Sequence, residues 1–225
     1  MCDGTKNEVL NLTKKIKKTT VLDNISYTFE KGTIYGLFGS NGSGKTMLLR
    51  ALSGLIVPTE GSITIKGEQL HKDISFPKSV GLIIENMQLL PQYDAFTNLK
   101  ILSKIKKIAS DNDILDSISR VGLENFNSVK VSKFSLGMKQ RLNIAQAIFE
   151  KPDILLLDEP TNAIDEKGVA FVHDILLQEK KRGATIIITS HHKEDIISLC
   201  DIALEMNHGR LETSEKVIYK KDRIQ

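Results

Sequence analysis

Eight consecutive residues, Gly39-Ser40-Asn41-Gly42-Ser43-Gly44-Lys45-Thr46, have the types and spacing to hold a polyphosphate. They fit the pattern Gly, four residues, Gly-Lys-Thr. The glycines let the backbone curl until successive N–H groups point inward at phosphate oxygens. Lys45 brings an ammonium to the outer phosphates, and the Thr46 hydroxyl suits Mg²⁺. A second group lies farther along, where the apolar run Ile154-Leu155-Leu156-Leu157 ends in Asp158-Glu159. Asp158 suits the Mg²⁺ shell, through water. Glu159 suits polarising an attacking water, a general-base role worth about 10²–10⁴ in rate.

Both groups need elements to place them. The apolar, β-branched residues 34–38 read as a strand entering the glycine loop, and residues 47–54 as the helix leaving it. That helix adds the positive end of its dipole at the phosphate position. Residues 154–157 read as a buried strand whose C-terminal edge delivers both carboxylates, where open α/β sheets bind ligands. Around these elements the first third of the chain reads as short strands at 9–13, 21–29, 62–65 and 80–84. The middle changes period. Leu99, Ile101, Leu102, Ile105 and Ile108, then Ile114, Leu115, Ile118 and Val121, follow helical spacing. Residues from about 86 to 133 therefore read as a helical insertion. From Ser135 strands and helices alternate: a helix to 149, a strand at 153–158, a helix at 166–181, a strand at 184–189, a short helix at 193–199, and strands at 202–206 and 210–213. Alternation implies a parallel sheet with right-handed crossovers.

The totals set bounds. A chain of 225 residues predicts one domain with a substantial core. A net charge of +3 is too mild to argue for nucleic acid, and none is expected as a partner. The lysine clusters at 14–18 and 180–182 read as solvated faces. Cys2 and Cys200 are far apart without metal-ligand spacing, which fits a reducing cytosol. The polar N-terminus carries no signal-peptide core, and no apolar run exceeds strand length, so another chain must do any membrane crossing.

Three further stretches carry a family resemblance. Phe134-Ser135-Leu136-Gly137-Met138-Lys139-Gln140-Arg141, Pro160-Thr161-Asn162-Ala163-Ile164-Asp165 and Thr189-Ser190-His191 stand in order around the Asp158-Glu159 strand. With the glycine loop, they make the chain resemble, nearly end to end, an ATP-binding cassette subunit of an ABC transporter. The resemblance implies a single nucleotide-binding domain over residues 1–225. Its fold would be a P-loop NTPase (RecA-like) α/β core with an antiparallel β subdomain and an inserted α-helical subdomain. It implies two copies head to tail, sandwiching two ATP molecules. Ser135, Gly137 and the helix after them would cap the γ-phosphate bound by the other copy, and Ser135 would also serve as an N-cap. His191, rather than His192, would bond the γ-phosphate. Asp165 would tie the halves together or act as a helix N-terminal carboxylate. Lys45, Glu159, His191 and Glu85 would carry hydrolysis. ATP and Mg²⁺ are the implied cofactors, and a separate permease at the cytoplasmic face of the membrane is the implied partner.

Two departures stand out. Where such cassettes usually carry glutamine after the strand at 80–84, this chain has Glu85. At an effective dielectric of ~20, a unit charge ~6 Å from one phosphate charge costs about 3 kcal/mol, whereas the same charge ~4 Å from Mg²⁺ gains about 8. Glu85 should therefore face the metal. This substitution and the Ser-Leu-Gly-Met form of the signature resemble cassettes that protect bacteria from bacitracin and lantibiotics, which implies export of a peptide antibiotic or similar amphiphile. Second, the usual adenine-stacking aromatic falls at Ile16, which offers apolar contact without a π-face. Tyr27 and Phe29 are the nearby substitutes, and both read as strand core. Asn86 and the residues up to 100, with Leu89, Leu90, Tyr93 and Phe96, would line a permease groove or close the subdomain's own core. A soluble ABC-type ATPase and an ATP-binding regulator are the alternative readings.

Overall fold

The computed structural model describes residues 7–84, 88–126, 128–191 and 199–216. Two sheets organise them. The larger has six strands: β3 (Ile34–Phe38), β6 (Val80–Ile83), β7 (Ile154–Leu157), β8 (Thr185–Ser190), β9 (Ile202–Asn207) and β10 (Arg210–Lys216). Their order is β10-β9-β3-β8-β7-β6, parallel except for β10. The smaller is antiparallel, in the order β2-β1-β4-β5, from β1 (Asn7–Ile16), β2 (Thr19–Phe29), β4 (Glu60–Ile65) and β5 (Glu68–Gln69).

Every residue of β3, β7 and β8 is buried. Such strands need both faces covered. Strand alternation sends successive side chains to opposite cores. Leu155, Leu157, Ile186 and Ile188 join the cluster with Ala145, Ile148, Val172 and Ile175. These last four lie on helices α4 (Leu136–Ile148) and α5 (Glu166–Arg182). Ile154, Leu156 and Ile187 join the opposite cluster, with Leu48, Leu49 and Leu52 of α1 (Lys45–Leu52) and with Val9, Leu12 and Ile63 of the small sheet. The central sheet is thus sandwiched between a helical layer and a β-plus-α1 layer. At Gly81 of β6, an added Cβ would lie 2.0 Å from the Ala147 carbonyl oxygen, so α4 reaches the sheet only over a glycine.

The helical stretch carries α2 (Ala95–Lys106) and α3 (Asp111–Arg120). Asp94 caps α2 by accepting from Thr97 N, and Ser110 with Asp113 forms a capping box on α3. The two helices begin four and three residues before the first residues of the apolar spacing, Leu99 and Ile114, because caps rather than core residues set the boundary. The short helix expected at 193–199 falls, save for its last residue, outside the described residues.

The lysine-rich stretch at 180–182 is solvated at Lys181 and Arg182, as expected, yet two of its cations also pair with carboxylates. Lys180 pairs with Asp201, whose other oxygen accepts from Ile34 N at 2.9 Å. Arg182 pairs with Glu179, which also holds Arg120 of α3 at 2.8 Å. The Glu179 side chain is only 3% exposed. Charge here ties α5 to the start of β3 and to the helical stretch.

Candidate functional site

The glycine loop leaves β3 at the sheet's C-terminal edge and turns into α1, as the strand–loop–helix pattern requires. Two glycines are sterically obligatory. Gly39 has φ +150°, and a Cβ there would sit 2.2 Å from the Met206 carbonyl oxygen. Gly44 has φ +111°, and its Cβ would sit 2.9 Å from the Val21 carbonyl oxygen. The loop is therefore wedged against β9 and β2, and only bare backbone fits. Gly44 is the N-cap of α1 and supplies no side-chain cap, so no side chain occupies the helix's opening N–H groups there. The Ser43 hydroxyl is buried with no hydrogen-bond partner. An uncapped helix start and an orphaned buried hydroxyl beside a glycine loop are what an anion would complete.

Lys45 is 6% exposed. Its ammonium donates to the carbonyls of Gly39 at 2.7 Å and Ser40 at 3.1 Å, folding back across the loop. Burial lowers its pKa from 10.5, against the opposing pull of Glu159 and Asp158.

The Thr46 hydroxyl donates to Asp158 Oδ2 at 2.7 Å, and Thr189 donates to Asp158 Oδ1 at 2.5 Å. Threonine and aspartate thus meet from α1 and the end of β7, and β8 adds a partner that the sequence reading did not assign. Hard oxygen donors beside a phosphate loop fit Mg²⁺, which completes its shell with phosphate oxygens and water rather than a protein cage. Among the described residues no three His, Cys, Asp or Glu converge as a cage.

Glu159 follows at φ +49°. Its N–H donates to Thr189 Oγ1 at 3.0 Å, and its carboxylate contacts His191 Nε2 through one oxygen and Asn162 Nδ2 through the other. The general-base and histidine candidates are therefore together. Glu85 and His192 lie outside the described residues.

Ser135 caps α4, accepting from Met138 N at 3.2 Å, and is exposed. Gly137 packs so tightly that a Cβ would lie 2.9 Å from the Ala163 carbonyl oxygen. Among the described residues no hydrogen bond joins either residue to the chain's own glycine loop. Asp165 caps α5 by accepting from Gly168 N at 3.0 Å. Ile16 stands 44% exposed at the tip of the β1–β2 hairpin. The possible aromatic substitutes are engaged elsewhere: Tyr27, Phe29 and Tyr35 form a cluster with centroids 4.9–5.8 Å apart. Burial there pushes the Tyr27 phenol up to about 12.

Of the expected groove residues, Leu89 and Phe96 pack on the large core, while Leu90 and Tyr93 remain exposed. An apolar groove of about 410 Å³ lies nearby, lined by Leu55, Phe76, Leu82, Leu102, Ile105 and Phe149. Phe76 and Ile105 are 57% and 77% exposed. Among the described residues no helix is long and apolar enough to cross a membrane.

The residues that sequence reading left without roles are Thr189, Asn162 and Gln140. Thr189 lies in the quoted strand end, Asn162 in the loop after Glu159, and Gln140 one helical turn beyond Gly137. Position could have flagged each, but only the folded chain shows what each one touches.

The chain is similar in sequence and in fold to known proteins. Residues 22–162 match the family model described as ABC transporter. The lantibiotic transport ATP-binding protein SrtF of Streptococcus pyogenes is 36% identical over 205 residues, covering 91% of this chain and 88% of SrtF. The bacitracin transport ATP-binding protein BcrA of Enterococcus faecalis is 36% identical over 220 residues, covering 96% and 71% respectively. A solved structure of an ATP-binding subunit of an ABC transporter superimposes with a TM-score of 0.85 at 24% identity, over 94% of this chain and 90% of that one. The dimeric bacterial ABC transporter cassette MJ0796 does so at 0.83 and 23%, over 94% and 98%.

Proposed function

The chain belongs to the ABC transporter family, and we propose that it is the ATP-hydrolysing subunit of a bacterial exporter whose permease is a separate chain. The observation that carries this reading is the meeting of Thr46, Asp158, Glu159 and His191 at the mouth of an anion-shaped loop. One nucleotide-binding domain spans residues 1–225, with a helical subdomain at about 86–133.

In this reading the amides of residues 39–46 and the Lys45 ammonium hold the triphosphate, and Thr46 and Asp158 hold Mg²⁺. Bound Mg²⁺ supplies neutralisation of phosphate charge. Glu159 takes the proton from a water that adds to the γ-phosphorus as the bond to the bridging oxygen breaks and ADP leaves. His191 exchanges its contact with Glu159 for the γ-phosphate. The far side of the nucleotide is closed by a second copy, whose Ser135, Gly137 and α4 start supply amides and a helix dipole. Ile16 gives adenine an apolar edge. The exposed Ser135 at the start of α4, which among the described residues makes no hydrogen bond to its own chain's glycine loop, supports the head-to-tail pairing.

The permease docks on the cytoplasmic side through the apolar groove between α2 and β6, where exposed Phe76 and Ile105 mark a partner surface. The names of SrtF and BcrA support a peptide antibiotic as cargo. The test is Mg²⁺-dependent ATP turnover by the purified chain, with Glu159→Gln alongside. Turnover is expected to fall by about 10²–10⁴ in the variant while nucleotide binding persists. Equal turnover in both proteins would remove Glu159 from its role, and no nucleotide uptake by either would remove the whole reading.

A further inference from the structure

We propose that Thr189 is a positioning residue whose single buried hydroxyl sets Asp158 and Glu159 relative to one another, the first for Mg²⁺ and the second for the attacking water. The inference rests on the ATPase reading above and deepens it, by giving a role to a side chain outside the phosphate loop.

Three isoleucines fill the middle of β8, and Thr189 follows them while the strand is still buried. Strand alternation puts Thr189 on the face of Ile187, and Asp158 on the face of Leu156. Ile187 and Leu156 both pack in the core that contains α1. Thr46 of α1, Asp158 and Thr189 therefore converge on one face of the sheet. Thr189 is 1% exposed, so its hydroxyl needs partners. A hydroxyl carries one proton and two lone pairs. Here a lone pair accepts from Glu159 N at 3.0 Å, which leaves the proton for Asp158 Oδ1 at 2.5 Å. Thr46 donates to the other oxygen, Oδ2, at 2.7 Å. Two hydroxyls, one on α1 and one on β8, thus hold the Asp158 carboxylate by both oxygens and set its plane. Each oxygen keeps a lone pair for a metal-bound water.

The bond to Glu159 does a different job. The paired register of β7 with β8 ends at Leu157 and Ile188. Asp158 N bonds toward β6, to the Ile83 carbonyl at 2.7 Å. At Glu159 the Thr189 side chain stands in for a backbone acceptor, and the chain leaves the strand with φ +49°. Non-glycine residues are uncommon there, and such a backbone persists when its surroundings over-determine it. The direction of the Glu159 side chain follows from that backbone.

Side-chain shape adds to this. β-branching restricts χ1 of threonine, so the direction of its hydroxyl is built in. Serine keeps the hydroxyl on a freer χ1. Valine has the outline of threonine with neither donor nor acceptor, and would leave a backbone N–H and a carboxylate oxygen short of a partner together.

The test compares Thr189→Val and Thr189→Ser with the wild-type chain. Three quantities are measured: ATP turnover, Mg²⁺ affinity by calorimetry with a non-hydrolysable ATP analogue bound, and affinity for a fluorescent ATP analogue in EDTA. For valine, kcat should fall about ten- to a hundredfold and Mg²⁺ affinity about tenfold, as when a group that orients a metal site or base is lost, while Mg²⁺-free nucleotide affinity stays within about twofold. The unchanged Mg²⁺-free affinity also shows that the variant is folded. Serine should recover both losses to within about fivefold of wild type, short of full recovery because its χ1 is freer. Wild-type kcat in the valine variant overturns the proposal. So does a fall in kcat with Mg²⁺ affinity unmoved, since the hydroxyl would then serve Glu159 alone. Equal impairment by valine and serine, or loss of Mg²⁺-free nucleotide binding, overturns it in favour of simple packing. Wild-type protein that neither binds nor hydrolyses ATP would instead sink the underlying ATPase reading.

Discussion

Replacing Lys45 with methionine separates nucleotide binding from folding. The ammonium is buried and points back at the Gly39 and Ser40 carbonyls, the rim of the loop that would hold the phosphates. An ammonium ~4 Å from one phosphate charge, at an effective dielectric of ~20, is worth about 4 kcal/mol. Losing it should weaken ATP binding about a thousandfold. The empty protein should respond differently. Methionine forfeits two charge-assisted hydrogen bonds worth roughly 1.5–3 kcal/mol each, but it also removes a buried charge whose desolvation costs several kcal/mol. These nearly cancel, so the unfolding free energy should move by less than about 2 kcal/mol. The pH dependence carries a sign. Burial lowers the folded pKa below 10.5, so between the lowered value and 10.5 the unfolded chain binds the proton that the folded chain has released. Stability from this group therefore rises with pH across that window and levels off above it. The methionine variant should lack that rise. Fluorescent-nucleotide titration and denaturant melts across alkaline pH measure both halves. ATP affinity within tenfold of wild type would show that the ammonium does not face the phosphates, and the loop would lose its assigned role.

Two further outcomes follow from the packing and from the hairpin tip. Glu179→Gln keeps volume but leaves Arg120 and Arg182 without a counter-charge at a site where the carboxylate accepts three N–H bonds of 2.7–2.8 Å. Unfolding should become easier by about 3–5 kcal/mol, a Tm drop of roughly 6–20 °C for a chain of this size. A drop under about 2 °C would show that the cluster adds nothing to the join between α3 and α5. Ile16→Tyr should tighten ATP by about 1 kcal/mol, roughly fivefold, by giving adenine a ring to stack on. In the wild type the GTP dissociation constant should stay within about tenfold of that for ATP. Unchanged ATP affinity in the tyrosine variant would move the adenine site away from the β1–β2 tip.

What the sequence shows and what it hides differ by the kind of interaction involved. The glycine loop is legible because its function is local: eight neighbours make the cradle, and the strand and helix flanking them carry their own periodicity. Asp158 and Glu159 are legible for a similar reason, since four apolar residues must be buried and the carboxylates must emerge where burial stops. The partners of those groups are not legible. Thr189 meets Asp158, and Gln140 meets Glu159, only because parallel pairing brings β7 beside β8 and a glycine at 81 lets α4 settle against β6. A lysine-rich run looks the same in sequence whether it faces water or, like Lys180 and Arg182, answers carboxylates supplied by another element or by the preceding turn. The sequence therefore names the groups proposed to touch phosphate, while the fold decides which residues hold those groups still. For this chain the second set includes Gln140, whose amide reaches from α4 to the carbonyls of Glu159 and Pro160.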